Sequence, residues 1–225
     1  MMDFLPMLGL GLLFGLRHAI DADHIAAVST IVTQTGSVKK SSLAGIFWGL
    51  GHAGALLLAG IPLLLFRTAI PAGLAVFFEL MVGILLIALG ADVLYRLRSE
   101  KIHFHQHMHN GSGHWHFHSH SRTASHSHAH RSFFVGTFHG LAGSAGLALV
   151  TLAAFSSFFQ GILYIAVFGL GSILGMLAVS TIIALPLGLF PGFIRLARIL
   201  RFSAGAFSMA FGAFIVAEFF SQARL

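Results

Sequence analysis

Long apolar runs separated by short polar connections dominate the chain. Six of these runs are long enough to cross about 30 Å of hydrocarbon, which takes about 20 helical residues. Their approximate bounds are 4–33, 42–66, 72–97, 133–157, 160–186 and 193–220. The pattern predicts an all-α integral membrane protein with six transmembrane helices.

A polar, histidine-rich connection interrupts this pattern near the middle of the chain. We therefore predict a first three-helix repeat at residues 1–98, a loop at 99–131 and a second three-helix repeat at 132–225. An odd number of spans in each half requires the second repeat to lie inverted relative to the first. Inverted repeats are a recurrent plan of secondary transporters, whose sites lie where the repeats meet.

Short motifs recur between the two halves, at separations of 121, 120 and 122 residues. The matching segments are 15–20 with 136–141, 48–52 with 168–172, and Gly83 and Gly90 with Gly205 and Gly212. Three matches at nearly one separation indicate an internal duplication. The alternative to a transporter is a duplicated scaffold, but a scaffold has no need of acidic residues inside the membrane.

Composition and charge agree with a protein of the cell membrane. Hydrophobic residues make up 56% of the chain and charged residues 9%, whereas a soluble domain carries roughly 25% charged residues. Ten basic residues fall on one side of the predicted spans: Lys39, Lys40, Arg96, Arg98, Lys101, Arg122, Arg131, Arg195, Arg198 and Arg201. The positive-inside rule then predicts a cytoplasmic loop and both termini outside. Because these charges border apolar runs, we expect no nucleic-acid partner.

The first predicted span contains a polar motif, with ionisable residues at Arg17, His18, Asp21, Asp23 and His24. Each such group costs several kcal/mol at membrane depth unless it is paired, ligated or hydrated. On a regular helix His18, Asp21 and His24 share an arc of about 120°, which suits half of a nickel or cobalt coordination shell. Asp23 then pairs with Arg17, or joins the shell if the helix unwinds. The alternative is a structural ion-pair network between helices.

Two further histidines, His52 and His139, lie inside the second and fourth predicted spans. His139 occupies the position equivalent to His18, whereas the equivalent of His52 is Ser172. Both are predicted metal-site residues, with interhelical hydrogen bonding as the alternative role. The chain has no cysteine, so any metal site must use imidazole, carboxylate or similar ligands, which suit Ni, Co, Zn or Mn.

The loop carries eleven of the fifteen histidines, in three alternating runs. They are His103, His105, His107, His109, His114, His116, His118, His120, His126, His128 and His130. Alternate spacing places imidazoles on one side of an extended chain, and such tracts bind divalent metals weakly without a fold. The alternative is a loop that only increases solubility.

The polar motif resembles the signature of the nickel/cobalt transporter family, an Arg-His-Ala-apolar-Asp-Ala-Asp-His-Ile block that Arg17–Ile25 matches throughout. Phe47–His52 is similar to the family's Phe-x-x-Gly-His element, with one extra residue before the histidine. Gly175–Thr181 matches a later Gly-Met-x-x-x-Asp-Thr element in part, with Ser180 in place of the acid. The family's Asp-Thr-Ala-Thr-Glu block is not recognisable at 139–145. The chain thus resembles a short branch, similar to urease-accessory nickel permeases without the leading helix.

This resemblance implies a secondary transporter of Ni²⁺ or Co²⁺, working in uptake, with a cytosolic nickel chaperone or urease maturation system as partner. The metal is then the cargo, and we expect neither a cofactor nor catalytic residues. Efflux is the first alternative. A membrane acyltransferase is another, because His18 and Asp23 have the His-x4-Asp spacing in which an acid orients a histidine base. A membrane protein that stores or senses metal is a further alternative.

Overall fold

The computed structural model describes residues 4–35, 37–68, 70–99, 106–109, 112–115, 127–155, 157–189 and 194–222. These residues form seven α-helices and one short hairpin. The helices are α1 (Phe4–His18), α2 (Ala22–Val32), α3 (Val38–Phe66), α4 (Ala72–Ser99), α5 (Ser127–Ala154), α6 (Phe158–Leu189) and α7 (Ile194–Gln222). The hairpin consists of β1 (Gln106–His109) and β2 (Ser112–Trp115), antiparallel, with His107 opposite His114.

Helices occupy all six predicted apolar segments, and the helical class of the chain is confirmed. The six spans are not confirmed, because the described ranges contain four candidate spans, or five with a bent pair counted as one. Within the described ranges, α3, α4, α6 and α7 are each long and apolar enough to cross a membrane. The pair α1 and α2 meets the same criterion when taken together. These lengths agree with an integral membrane protein, because backbone groups in hydrocarbon must be satisfied within the helix itself.

The first predicted segment, 4–33, is not one regular helix. It is divided into α1 and α2, whose axes differ by 57°. Asp21 at the junction has extended backbone angles, φ −65° and ψ 151°, as is usual for the residue before a helix, but its side chain makes no capping hydrogen bond. Two hydrogen bonds between residues three positions apart close the end of α1. They join Ile20 N to Arg17 O and Asp21 N to His18 O, both at 3.1 Å.

The predicted loop also differs from its expected outline. The residues from Ser127 to Arg131 form the first turn of α5, so this helix begins earlier than the predicted 133. Arg131 is held there because its guanidinium donates two 3.0 Å hydrogen bonds to Asp92 of α4. The hairpin of β1 and β2 lies within this loop, so these two short strands are an exception to the predicted all-α fold.

Glycines bring α1 close to α6, and α5 close to α3. A Cβ atom on Gly15 would collide with the backbone oxygen of Phe168, and one on Gly136 would collide with that of Trp48. Gly15 and Gly136 are equivalent in the predicted repeats, as are Trp48 and Phe168. The two contacts therefore join equivalent positions reciprocally, and small residues allow the backbones to approach so closely.

The contact between α4 and α7 has the same reciprocal character. A Cβ atom on Gly90 would come within 2.5 Å of the carbonyl oxygen of Gly205, and one on Gly212 within 2.5 Å of that of Gly83. The predicted duplication pairs Gly83 with Gly205 and Gly90 with Gly212. Exchanging the two halves therefore turns each of these two contacts into the other.

Helix α2 lies in the interior of the bundle, where every residue from Ala26 to Val32 is buried. Its hydroxyl groups bond to its own backbone, as in Thr30 Oγ1 to Ala27 O at 2.6 Å. Arg201 of α7 donates a 3.0 Å hydrogen bond to the carbonyl of Thr33 at the end of α2. His24, in the first turn of α2, is therefore held inside the bundle.

Candidate metal site

The break between α1 and α2 brings the histidines of the polar motif together. His18 is the last residue of α1, and His24 lies in the first turn of α2. Their ring centroids are 4.6 Å apart. The expected face of a regular helix is replaced by a bend that points both rings toward the same place.

His52 of α3 and His139 of α5 complete the group. The ring of His52 lies 5.1 Å from the rings of both His18 and His24, and the ring of His139 lies 5.2 Å from that of His24. One ring nitrogen from each of His18, His24 and His52 lies within 4.8 Å of the others. Four helices thus supply the four imidazoles, which we call the histidine cluster: His18, His24, His52 and His139.

Three of the four histidines are buried and His18 is half-buried, and several of the ring nitrogens have no protein partner. His24, His52 and His139 are 1%, 0% and 2% exposed. Among the described residues, Nε2 of His24, Nε2 of His139 and both nitrogens of His52 have no hydrogen-bond partner. A buried polar atom left without a partner costs about 1–3 kcal/mol. An arrangement that leaves four such atoms together is typical of a site that binds a ligand.

Hydrogen bonds to the other ring nitrogens orient three of these imidazoles. His18 Nδ1 lies 2.8 Å from Asp21 Oδ2, and His24 Nδ1 lies 3.2 Å from Asp23 Oδ1. His139 Nδ1 donates a 3.2 Å hydrogen bond to the carbonyl oxygen of its own helix at Val135. A protonated Nδ1 bonded to an oxygen leaves the lone pair of Nε2 available, which is the usual geometry of a metal-binding histidine.

The two carboxylates of the motif have different partners from those expected. Arg17 bonds to Asp21 at 2.9 Å rather than to Asp23, and Asp21 is 40% exposed. Asp23 instead bonds to His24. The interpretation of Asp21 as one of three groups on a helical face assumed an unbroken helix, and the bend at residues 19–21 removes that face.

The acyltransferase alternative required Asp23 to orient His18. The carboxylate bonded to His18 is Asp21, three residues away, and Asp23 bonds to His24. The described residues therefore lack the His-x4-Asp hydrogen bond on which that alternative depends.

Sequence reasoning missed Trp48, whose indole borders the histidine cluster. Its ring lies 5.0 Å from that of His139 and 6.5 Å from that of His24, and it is 1% exposed. The indole Nε1 has no hydrogen-bond partner among the described residues. The repeat alignment is the signal in the sequence that could have pointed to Trp48. It pairs Trp48 with Phe168, whose ring lies 5.6 Å from that of His18.

The loop histidines lie apart from the histidine cluster in the sequence, and the structure describes five of the eleven. His107, His109 and His114 lie on the hairpin strands, and His128 and His130 lie in the first turn of α5, where His130 is exposed. The remaining predicted loop ligands lie outside the described residues: His103, His105, His116, His118, His120 and His126.

Comparisons with known proteins bear on what such a site does. Residues 52–214 match the family model of the cytochrome C biogenesis protein transmembrane region. The chain has no cysteine, so it has no thiol chemistry of its own. The matched region begins at His52, after the polar motif, and extends from the middle of α3 into α7. No solved structure matches the chain.

Three curated proteins are similar to the chain. The urease accessory protein UreH of Bacillus sp. (strain TB-90) is 36% identical over 93% of this chain and 90% of its own length. The high-affinity nickel transport protein of Cupriavidus necator is 35% identical over 34% of this chain and 23% of its own. The hydrogenase nickel incorporation protein HupN of Bradyrhizobium diazoefficiens is 49% identical over 20% of this chain and 12% of its own.

Proposed function

We propose that this chain is a secondary transporter of Ni²⁺ or Co²⁺. The chain belongs to the cytochrome C biogenesis transmembrane-region family and to the nickel permease-type family of UreH. The observation that carries the proposal is the histidine cluster, with its unpartnered nitrogens at the centre of a helical membrane protein. Imidazole suits nickel, as it does zinc, copper and iron. The names of the nickel transport protein and of HupN support nickel as the cargo.

In this proposal His18, His24, His52 and His139 bind the ion, and Asp21 and Asp23 hold two of the rings. The carboxylates also supply negative charge close to the ion, which lowers the cost of a dication inside the membrane. Their hydrogen bonds to His18 and His24 support this division of roles. Because protons compete with metal for the imidazole nitrogens, acidification should lower metal occupancy.

We further propose six spans arranged as two inverted repeats, in which α1 and α2 together form one discontinuous span and each of the helices α3 to α7 forms one further span. The reciprocal glycine contacts, Gly15 with α6 and Gly136 with α3, support equivalent positions in the two halves. A discontinuous helix beside the site is a recurrent feature of secondary transporters. Transport then takes place as one repeat rocks against the other around the histidine cluster.

The proposed orientation places residues 99–131 in the cytosol and both termini outside, because ten basic residues border that side. Uptake then delivers the ion to a histidine-rich loop, which buffers it weakly before a cytosolic nickel chaperone or urease maturation system takes it over. The names of UreH and HupN, a urease accessory and a hydrogenase nickel incorporation protein, support this destination.

Reconstitution in lipid vesicles tests the proposed function. We expect the protein to accelerate the initial rate of Ni²⁺ uptake, and His24→Ala to abolish that acceleration because it removes a central ligand. His130→Ala is the matched control, since His130 is exposed and lies outside the histidine cluster. Both variants must be recovered from the membrane in equal amounts. Normal transport by His24→Ala would contradict the site, and no metal flux with the unaltered chain would contradict the function.

A further inference from the structure

The indole of Trp48 carries a buried polar group that the protein itself leaves without a partner. The residue is 1% exposed, and its Nε1 has no hydrogen-bond partner among the described residues. A tryptophan Nε1–H can only donate, and a buried indole usually finds an acceptor. The ring lies 5.0 Å from that of His139 and 6.5 Å from that of His24. The unpartnered donor therefore belongs to a ring that borders the histidine cluster.

His139 carries the complementary group. Its Nδ1 donates to the carbonyl oxygen of Val135, which can only accept. In the neutral imidazole the other nitrogen, Nε2, then has a free lone pair and accepts hydrogen bonds. This Nε2 is also buried and has no partner in the part of the chain that the structure describes. A donor on Trp48 and an acceptor on His139 thus lie on neighbouring rings without bonding to each other, and one water molecule can bond to both.

The other three histidines form a tighter group, to which His139 does not belong. One ring nitrogen from each of His18, His24 and His52 lies within 4.8 Å of the others. Three protein ligands with a water molecule in the next coordination position are a recurrent arrangement, as in catalytic zinc sites. An ion bound by these three imidazoles therefore has a coordination position for a ligand that the protein does not supply.

We propose that the ion in the histidine cluster keeps one water molecule, and that Trp48 and His139 hold this water in place. This inference rests on the proposed function and specifies the form of its cargo. The water oxygen binds the ion and accepts a hydrogen bond from Trp48 Nε1–H, and one water hydrogen is donated to His139 Nε2. A buried water needs roughly two to four polar partners, which the ion, the indole and the imidazole supply.

Trp48 is thus a positioning residue that acts on the ion through the water, and His139 binds the ion through the same water. Water is favoured over an anion at this position because the carboxylates of Asp21 and Asp23 already supply negative charge beside the ligands.

Nuclear magnetic resonance of the indole N–H tests the hydrogen bond without requiring transport. Trp48 and Trp115 are the two tryptophans of the chain, so the full-length Trp115→Phe variant gives a single indole signal. Zn²⁺ is the probe, because it is diamagnetic and binds imidazole. Saturating Zn²⁺ should move the indole proton and nitrogen signals downfield as the hydrogen bond forms. His52→Ala in the same background removes a ligand and should abolish this response. An unchanged indole signal, while the imidazole signals of the histidine cluster shift, would overturn the proposal.

Ni²⁺ affinity in detergent supplies the second readout. Trp48→Phe keeps an aromatic ring but removes the N–H, and His139→Leu removes the acceptor. Each should weaken the tightest Ni²⁺ binding about 10-fold. The double variant should bind little more weakly than either single variant, because both changes act on the same water. Tyr164→Phe is the matched control, since it also removes a polar atom from a buried aromatic residue outside the cluster, and it should leave the affinity unchanged. Losses that multiply to about 100-fold in the double variant would contradict a shared water.

The retained water and the proposed function can fail separately. If the unaltered chain moves no metal in vesicles but shows the indole shift with Zn²⁺, the proposed function fails while the water-bound site stands. If the chain transports Ni²⁺ but neither the indole signal nor the affinity of Trp48→Phe changes, the retained water is wrong and the transporter stands. The metal-free melting temperature of Trp48→Phe separates weakened binding from misfolding, and the indole signal of the unaltered Trp48 tests the proposal even if that variant misfolds.

Discussion

At the residue scale, His52 differs from the other members of the histidine cluster. His18, His24 and His139 each have one ring nitrogen in a hydrogen bond, to Asp21, Asp23 and Val135. His52 is fully buried, and neither of its nitrogens has a partner among the described residues. Without metal, its polarity is therefore a cost to the fold, and binding an ion removes that cost.

His52→Leu tests whether the His52 side chain lowers the stability of the metal-free protein and is needed for metal binding. Leucine fills a similar volume and removes two unpartnered polar atoms, so we expect the metal-free variant to be as stable as the unaltered protein or more stable, by about 1–2 kcal/mol. The same change should remove the rise in melting temperature that Ni²⁺ causes. Thermal unfolding in detergent, with and without Ni²⁺, measures both effects. A clear loss of metal-free stability would show that His52 has a structural role.

At the element scale, the close contact of α1 with α6 determines where His18 lies. Gly15 is one turn before His18, and its Cα faces the backbone of Phe168 and Ser172. Ser172 Oγ also lies 3.4 Å from the carbonyl oxygen of Gly15. Any side chain at Gly15 must push α1 away from α6, and the end of α1 moves with it.

Gly15→Ala should therefore destabilise the protein by about 1–3 kcal/mol, the usual cost of overpacking, and weaken Ni²⁺ binding. Gly9→Ala is the matched control on the same helix, because a Cβ atom there meets nothing within 4 Å. Since alanine favours helix over glycine, Gly9→Ala should be neutral or slightly stabilising. Melting temperature and Ni²⁺ titration check both variants, and equal behaviour of the pair would refute the role given to this contact.

At the scale of the whole molecule, the histidine-rich loop connects the two halves of the chain in sequence. Its last residues belong to α5, and Arg131 is tied to Asp92 of α4, which also accepts a 2.8 Å hydrogen bond from Arg96. A deletion must spare this ion pair if it is to test the loop alone. The residues 103–126 meet that condition.

Replacing 103–126 with a short flexible linker should leave the initial rate of Ni²⁺ uptake within about two-fold of the unaltered rate. The same deletion should remove the weak, multiple binding of divalent ions, because a flexible chain binds each ion separately and must be ordered around it. Initial-rate flux and equilibrium dialysis measure the two properties. Arg131→Gln in the full-length chain is the control for damage to the ion pair. Loss of initial uptake in a correctly inserted deletion variant would place the loop in the transport pathway.

The sequence by itself indicated which segments are helical and which polar residues are candidates for a site. Apolar runs of about 20 residues must form helices in a bilayer, because hydrocarbon offers no other partner to the backbone. The polar motif at Arg17–His24 indicated a functional site for the same energetic reason, since charge at that depth is costly. These are local properties of composition and length, so they do not depend on how the helices are packed.

Only the tertiary structure decided how those residues meet. The bend at Asp21, the partnership of Asp23 with His24, and the approach of His52 and His139 depend on the packing of helices that are distant in sequence. Trp48 comes to border the histidine cluster in the same way, through neighbours on other helices. Helical periodicity gives the face of one helix, whereas a ligand shell depends on how several helices are rotated and placed against one another, which is set by close glycine contacts across the whole bundle.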